Sequence, residues 1–128
     1  PGQIVGYWIR LLPPTGRDLR AHLRATEGIV IAALHAFACE GFRVAGKTGV
    51  WVGPADAPRK IASIGIAARN WCTYHGFALN VAPDLAQFRA INPCGFDAAV
   101  MTSLEREIGR PVELAAVARA IEAWVAPA

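Results

Sequence analysis

RKIASIGIAARNWCTYHGFALNV, residues 59–81, decides the fold. Residues 59–68 read as one strand, apolar after its opening Arg59-Lys60 pair. Residues 71–75 and 77–81 read as two more, with a kink at Gly76, because glycine weakens and bends a strand. Upstream, Gly53-Pro54-Ala55-Asp56-Ala57-Pro58 is a loop by composition, and short strands are expected at 42–44 and 48–52. Residues 3–12 read as a further strand, closed by a Pro13-Pro14-Thr15-Gly16 turn. Asp18 is placed to cap a long helix on which Leu19, Leu23, Val30, Leu34 and Phe37 recur at helical spacing, with Gly41 as its stop. Downstream, Asp84 caps a short helix through Phe88, and Asn92-Pro93-Cys94-Gly95 is a turn. Thr102 with Glu105 resembles a capping box for a helix ending near Gly109. Pro111 opens the last segment, an amphipathic helix over 113–125. Strands in the middle with helices early and late predict an α+β domain: a mixed sheet with helices packed on it.

The 128 residues suit one domain, and 54% hydrophobic with 18% charged residues suffice for a real core. The formal net charge of +3 is scattered, with no basic run and no aromatic interleaving, so it is no nucleic-acid signature. No apolar run of about 18 residues predicts a membrane span. No signal peptide is visible. Cys39, Cys72 and Cys94 lie far apart; the odd number and wide spacing speak against a disulfide framework or a structural zinc site. A reducing, cytoplasmic setting fits best. The chain opens at Pro1 inside what reads as a strand already under way, which predicts further residues upstream.

Cys94 sits in Pro93-Cys94-Gly95, where proline fixes φ and glycine lets the backbone bend close to a ligand. Taken alone it is either a presented nucleophile or a buried small apolar side chain. Cys39, two residues after Phe37 on an apolar helix, reads as packing, and so does Cys72 between Trp71 and Thr73. Lys60 is either a solvated strand end or the partner of a thiol 34 positions away. His75, before Gly76, is a candidate site wall or a hydrogen-bonded structural histidine. His22 and His35, 13 residues apart, make no close helical metal pair. There is no P-loop, GxGxxG, HExxH or GxSxG, so the nucleotide, zinc-protease and serine-hydrolase readings lack their motifs.

Several stretches, in order and at matching spacing, resemble the lipoyl(octanoyl) transferases of the LipB family (lipoate-protein ligase B). They are PGQIVGYWI at 1–9, DLRAHLRATE at 18–27, KTGVWV at 47–52, the quoted 59–81 segment, NPCGF at 92–96 and TSL at 102–104. The resemblance implies the fold of the biotin/lipoyl protein ligase catalytic domain. It also implies transfer of an octanoyl group from octanoyl-acyl carrier protein to a lysine of a lipoyl domain. Acceptors would be the lipoyl domains of 2-oxoacid dehydrogenase complexes and the glycine cleavage H protein. Cys94 would hold the acyl group as a thioester, and Lys60 would favour the thiolate and shuttle the proton. The backbone of Ser63, Ile64 and Gly65 and of Gly76, Phe77 and Ala78 would bind the acyl chain. Side chains of Ala62, Ile64, Phe77 and Leu79 would suit the walls of a tunnel. No metal or other cofactor is implied, because the donor is already a thioester. The family's Arg-Gly-Gly…His-Gly segment precedes Pro-Gly-Gln, so this sequence reads as N-terminally truncated. An ATP-dependent lipoate or biotin ligase of the same fold would have no need of the Pro-Cys-Gly turn. A non-catalytic binding module is the third reading.

Overall fold

A computed structural model describes residues 1–86 and 100–125. Four strands form one sheet: β1 (Gln3–Tyr7), β2 (Val50–Val52), β3 (Arg59–Arg69) and β4 (Cys72–Asn80), in the order β1-β4-β3-β2. All named neighbours pair antiparallel, and a parallel bridge of Lys60 with Met101 makes the sheet mixed. Helix α1 (Leu19–His35) packs across β3 and against α3 (Leu114–Glu122), while α2 (Leu104–Ile108) lies between them in sequence. The expected α+β architecture is what the chain adopts.

β3 and β4 form the hairpin on which the rest is assembled. Asn70 and Trp71 link them, both with left-handed torsions (φ 51° and 62°), the geometry that matches the twist of paired strands. The segment 72–80 is one strand rather than two. Gly76 does not break it, because the backbones of Tyr7 and Gly65 pair with Gly76 from both sides. The torsional irregularity falls one residue earlier, at His75, whose φ is 68°.

Asp18 caps α1 as expected, its carboxylate accepting from the Ala21 N–H at 3.1 Å. The helix stops at His35, before Gly41: Ala38 turns left-handed (φ 59°) and the Cys39 N–H returns to the Leu34 carbonyl at 3.1 Å. The buried face of α1 carries His22, Thr26 and Glu27 among Ile29, Val30, Ala33 and Leu34, so it is more polar than its leucine spacing suggested. The strand expected at 42–44 is reduced to a bridge between Phe42 and Trp51. The cap of α2 is Ser103, not Thr102; the Thr102 hydroxyl instead donates to Glu107. Gly109 closes that helix at φ 72°. The Asp84 carboxylate accepts from the Ala86 N–H at 3.0 Å, and the rest of that expected helix lies outside the described residues.

The core runs through Val30, Leu34, Val50, Ile61, Ala62, Leu79, Val81, Leu104 and Val117. At about 1.5–3 kcal/mol per fully buried large aliphatic side chain, this cluster is the main source of stability.

Candidate active site

Side chains alternate across a strand, and antiparallel partners share a face. β3 and β4 pair Ser63 with Ala78, Ile64 with Phe77, Gly65 with Gly76 and Ile66 with His75. The six residues expected to bind an acyl chain are therefore cross-strand neighbours on the two arms of one hairpin. Together with His75, Val5 and Tyr7 they line one shallow cavity of about 370 Å³. Ser63 and Ala78 share a face with the two glycines. Ile64 and Phe77 turn their side chains into the core, as do Ala62 and Leu79. Ala62 and Leu79 are core residues that do not line this cavity, while Ile64 and Phe77 border it from below. Val5 and Tyr7 are 52% and 70% exposed, so the cavity is a shelf open on one side. His75 sits at its rim, exposed, with its ring 4.6 Å from that of Tyr74.

Glycine at 76 has a steric reason. A Cβ there would collide with the Gly6 carbonyl of β1, whereas a Cβ on Gly65 would meet nothing within 4 Å. One glycine lets the strands close; the other leaves the shelf flat.

Lys60 lies at the start of β3, three residues before Ser63, a run of about 10 Å along a strand. It is only 7% exposed, and its Nζ stands 5.7 Å from the centre of the Trp51 ring, opposite which it pairs. Gly49 (φ 107°) covers its stem: a Cβ at that position would lie 2.8 Å from the Lys60 Cε. The covering backbone is fixed by Glu27, which accepts from the Gly49 N–H at 3.1 Å and from Arg43 Nε at 3.0 Å. On the other side the Lys60 carbonyl accepts from the Thr102 N–H at 2.9 Å. Arg59 grips Glu107 with two bonds of 3.0 and 2.7 Å, and Asn80 Nδ2 donates to the Thr102 carbonyl at 3.1 Å. Glu27, Gly49, Trp51 and Glu107 were not singled out from sequence. Glu27 meets Arg43 and Gly49 from 16 and 22 positions away, and Glu107 meets Arg59 from 48, separations that no local pattern carries.

Cys94 and its turn lie outside the described residues. Cys39 is buried, and burial, with the carboxylates of Glu107 and Glu40 adding, pushes its thiol up to about 11. That makes it the inert packing residue expected. Cys72 departs from expectation: at the first position after the hairpin turn it is exposed. His22 is buried against Trp8, with ring centroids 4.8 Å apart; burial first and the Arg10 charge second hold its imidazole below the ordinary range, against a pull from the Trp8 backbone. His35 is exposed and meets Glu40 at 2.8 Å. Among the described residues no group of three or more His, Cys, Asp or Glu side chains converges, and no helix is long and apolar enough to cross a membrane.

Residues 1–126 match the family model of the lipoyl protein ligase A/B catalytic domain. An octanoyltransferase of Syntrophotalea carbinolica is 51% identical over 117 residues, 91% of this chain and 54% of that protein. One of Geobacter metallireducens is 46% identical over 121 residues, 94% and 55% respectively. The chain thus spans about half the length of the curated relatives it matches. Among solved structures, a lipoate-protein ligase A bound with ATP superposes with a TM-score of 0.75 at 17% identity, covering 96% of this chain and 50% of that one. A bipartite lipoate protein ligase from Thermoplasma acidophilum gives 0.74 at 17%, covering 96% and 49%. At that identity the likeness is one of fold.

Proposed function

The chain belongs to the lipoyl protein ligase A/B catalytic-domain family, and from that premise we propose that it is a single catalytic domain of a cytoplasmic octanoyltransferase. In this reading the Cys94 thiolate attacks the carbonyl of octanoyl-acyl carrier protein. The carrier's thiolate leaves with a proton, and the octanoyl group remains as a thioester on Cys94. The ε-amine of a lipoyl-domain lysine then attacks that thioester, an amide forms, and the Cys94 thiol is released. Acceptors are the lipoyl domains of 2-oxoacid dehydrogenase complexes and the glycine cleavage H protein. Lys60 helps the thiolate form and relays the proton. Backbone N–H groups near Gly65, Gly76 or the Cys94 turn are the candidate oxyanion donors. The acyl chain lies on the shelf of Ser63, Ile64 and Gly65 against Gly76, Phe77 and Ala78, with His75 at its edge. No cofactor takes part.

The observation that carries this reading is the β3–β4 register. It sets the two triplets that this reading assigns to the acyl chain side by side on one shelf, the first of them on the strand that Lys60 opens. The relatives add weight: octanoyltransferases share 44–51% identity with this chain, against 15–17% for the ligase structures.

The test is intact-mass analysis of the protein after incubation with octanoyl-acyl carrier protein. The expected result is a hydroxylamine-labile octanoyl adduct that Cys94→Ser abolishes. An adduct that persists in Cys94→Ser, or no adduct on the wild type, rejects the thioester route. Attachment of free octanoate only when ATP is added would place the chain with the ligases.

A further inference from the structure

The middle of α1 carries Glu27-Gly28, and neither residue suits its place by local rules. Glycine is a poor helix former, and a carboxylate as buried as Glu27 needs bonded partners to stay charged. One side chain from the following loop accounts for both. Arg43 reaches back over α1: its Nε donates to Glu27 Oε2 at 3.0 Å, and its Nη2 donates to the Arg24 carbonyl at 2.7 Å. A Cβ on Gly28 would stand 3.3 Å from that same Nη2, so the glycine leaves the guanidinium its room. The other carboxylate oxygen, Oε1, accepts from the Gly49 N–H at 3.1 Å. Glu27 thus ties both ends of the 43–49 loop to α1, one with each oxygen.

A buried ion pair adds little stability over well-packed apolar side chains, because desolvation offsets its attraction. It does fix direction, since a carboxylate holds two donors where apolar packing would let them slide. What is held here is the backbone of Gly49. Its φ of 107° favours glycine, and a Cβ there would lie 2.6 Å from the Ala62 carbonyl oxygen and 2.8 Å from Lys60 Cε. The Gly49 backbone therefore rests directly on the lysine stem. A lysine stem is flexible, so the place of its amine depends on what confines it.

We propose that Glu27 is a positioning residue for Lys60: acting through the Gly49 backbone, it confines the lysine stem and so holds the amine in one place for proton transfer. The inference rests on the transfer reading and adds what keeps its lysine in register. A group displaced by an ångström can lose on the order of a hundredfold in rate.

The test reads Lys60 directly and the reaction separately. Lys47 and Lys60 are the two lysines of the chain, so amine labelling compares one with the other. Limiting acetic anhydride, followed by peptide mass analysis, is applied to the wild type and to Glu27→Gln. That isosteric change removes the charge and leaves one acceptor oxygen for two donors. Lys60 should label about tenfold faster relative to Lys47 in the variant, because its cover opens more often. Cys39, buried in the core, should stay as protected from iodoacetamide as in the wild type, which separates release of the cover from general unfolding. In octanoyl transfer from carrier protein to a lipoyl domain, kcat should fall by about tenfold or more, with KM within about twofold. Should Glu27→Gln not fold, as judged by circular dichroism, Arg43→Lys carries the test from a side chain 43% exposed. Lysine lacks the fork that reaches both Glu27 and the Arg24 carbonyl, so Lys60 should label at least about threefold faster there too. Unchanged labelling of Lys60, or exposure of Cys39 in the same proportion, overturns the proposal. A raised KM with kcat unchanged also overturns it, because the carboxylate would then act on substrate binding and not through Lys60. If Lys60 labelling rises while even the wild type transfers no octanoyl group, the transfer reading fails and the hold of Glu27 on Lys60 stands. If the wild type transfers octanoyl and the labelling does not change, the transfer reading stands and this inference falls.

Discussion

The two ends of the candidate site are built in opposite ways. Around Lys60 the site is made of side chains: Glu27 holds Gly49 over the lysine stem, Trp51 faces it, and Arg59 with Glu107 fastens α2 alongside. Around Gly65 and Gly76 it is made of backbone, with the side chains of Ile64 and Phe77 turned away into the core. A charged group needs bonded partners to stay where it is put, and an apolar chain needs only a flat, dry surface. Mutations should therefore act differently at the two ends, and within the shelf the two glycines should differ most of all.

The largest effect is expected at Gly76. A methyl group there collides with the Gly6 carbonyl, which cannot move without unpairing β1 from β4. Gly76→Ala should cost roughly 3 kcal/mol or more, in the range of overpacked sites. Urea unfolding at neutral pH checks it, and a loss below about 1 kcal/mol would mean that β1 yields easily and the contrast between the glycines is false.

That contrast also marks what could be read from the sequence. The strand at 59–68 was legible because its apolar run and flanking loop are local signals, and the Asp18 cap because a cap is a local bond. Gly76 reads locally as a kink, because glycine's local meaning is flexibility, but two neighbouring strands hold it in the sheet. Helix α1 ends before the glycine that marks its stop in the sequence, because a left-handed alanine at position 38 carries no sequence mark. The shelf residues came from family resemblance, and only the register explains why they belong together. Glu27 could not be found at all, since its worth lies in two partners brought from 16 and 22 residues away.

A middle-sized effect is expected at the Lys60 end. Hydrogen bonding from Arg59 holds the Glu107 carboxyl below the usual carboxylate range; the Thr102 hydroxyl and the charges of Arg59 and Arg106 add to this, and partial burial opposes it. A carboxyl with a lower pKa in the folded state contributes stability above its unfolded value, about 4.3, and loses it as pH falls through the folded value. Glu107→Gln should cost about 1–2 kcal/mol at pH 7, discounted because the Arg59 side chain is 38% exposed. The gap between variant and wild type should narrow as the pH drops below about 4. Denaturant titrations at pH 7 and pH 3 test this, and a gap of equal size at both would remove the charge from the account.

The smallest change in stability, and the sharpest change in specificity, belongs to Gly65. Its added methyl would enter open space on the shelf, and alanine loses less backbone freedom on folding than glycine does. Gly65→Ala should therefore move stability by no more than about 0.5–1 kcal/mol, in either direction. On the proposed reading that methyl raises the floor under the acyl chain. The rate with an octanoyl donor should fall by about tenfold relative to a shorter acyl donor, the scale set by one or two methylene-sized contacts in an apolar pocket. Competition between hexanoyl and octanoyl carrier protein would measure the ratio. If Gly65→Ala leaves it unchanged while Gly76→Ala unfolds the sheet, the acyl chain does not rest between these two strands, and the shelf is a consequence of strand pairing alone.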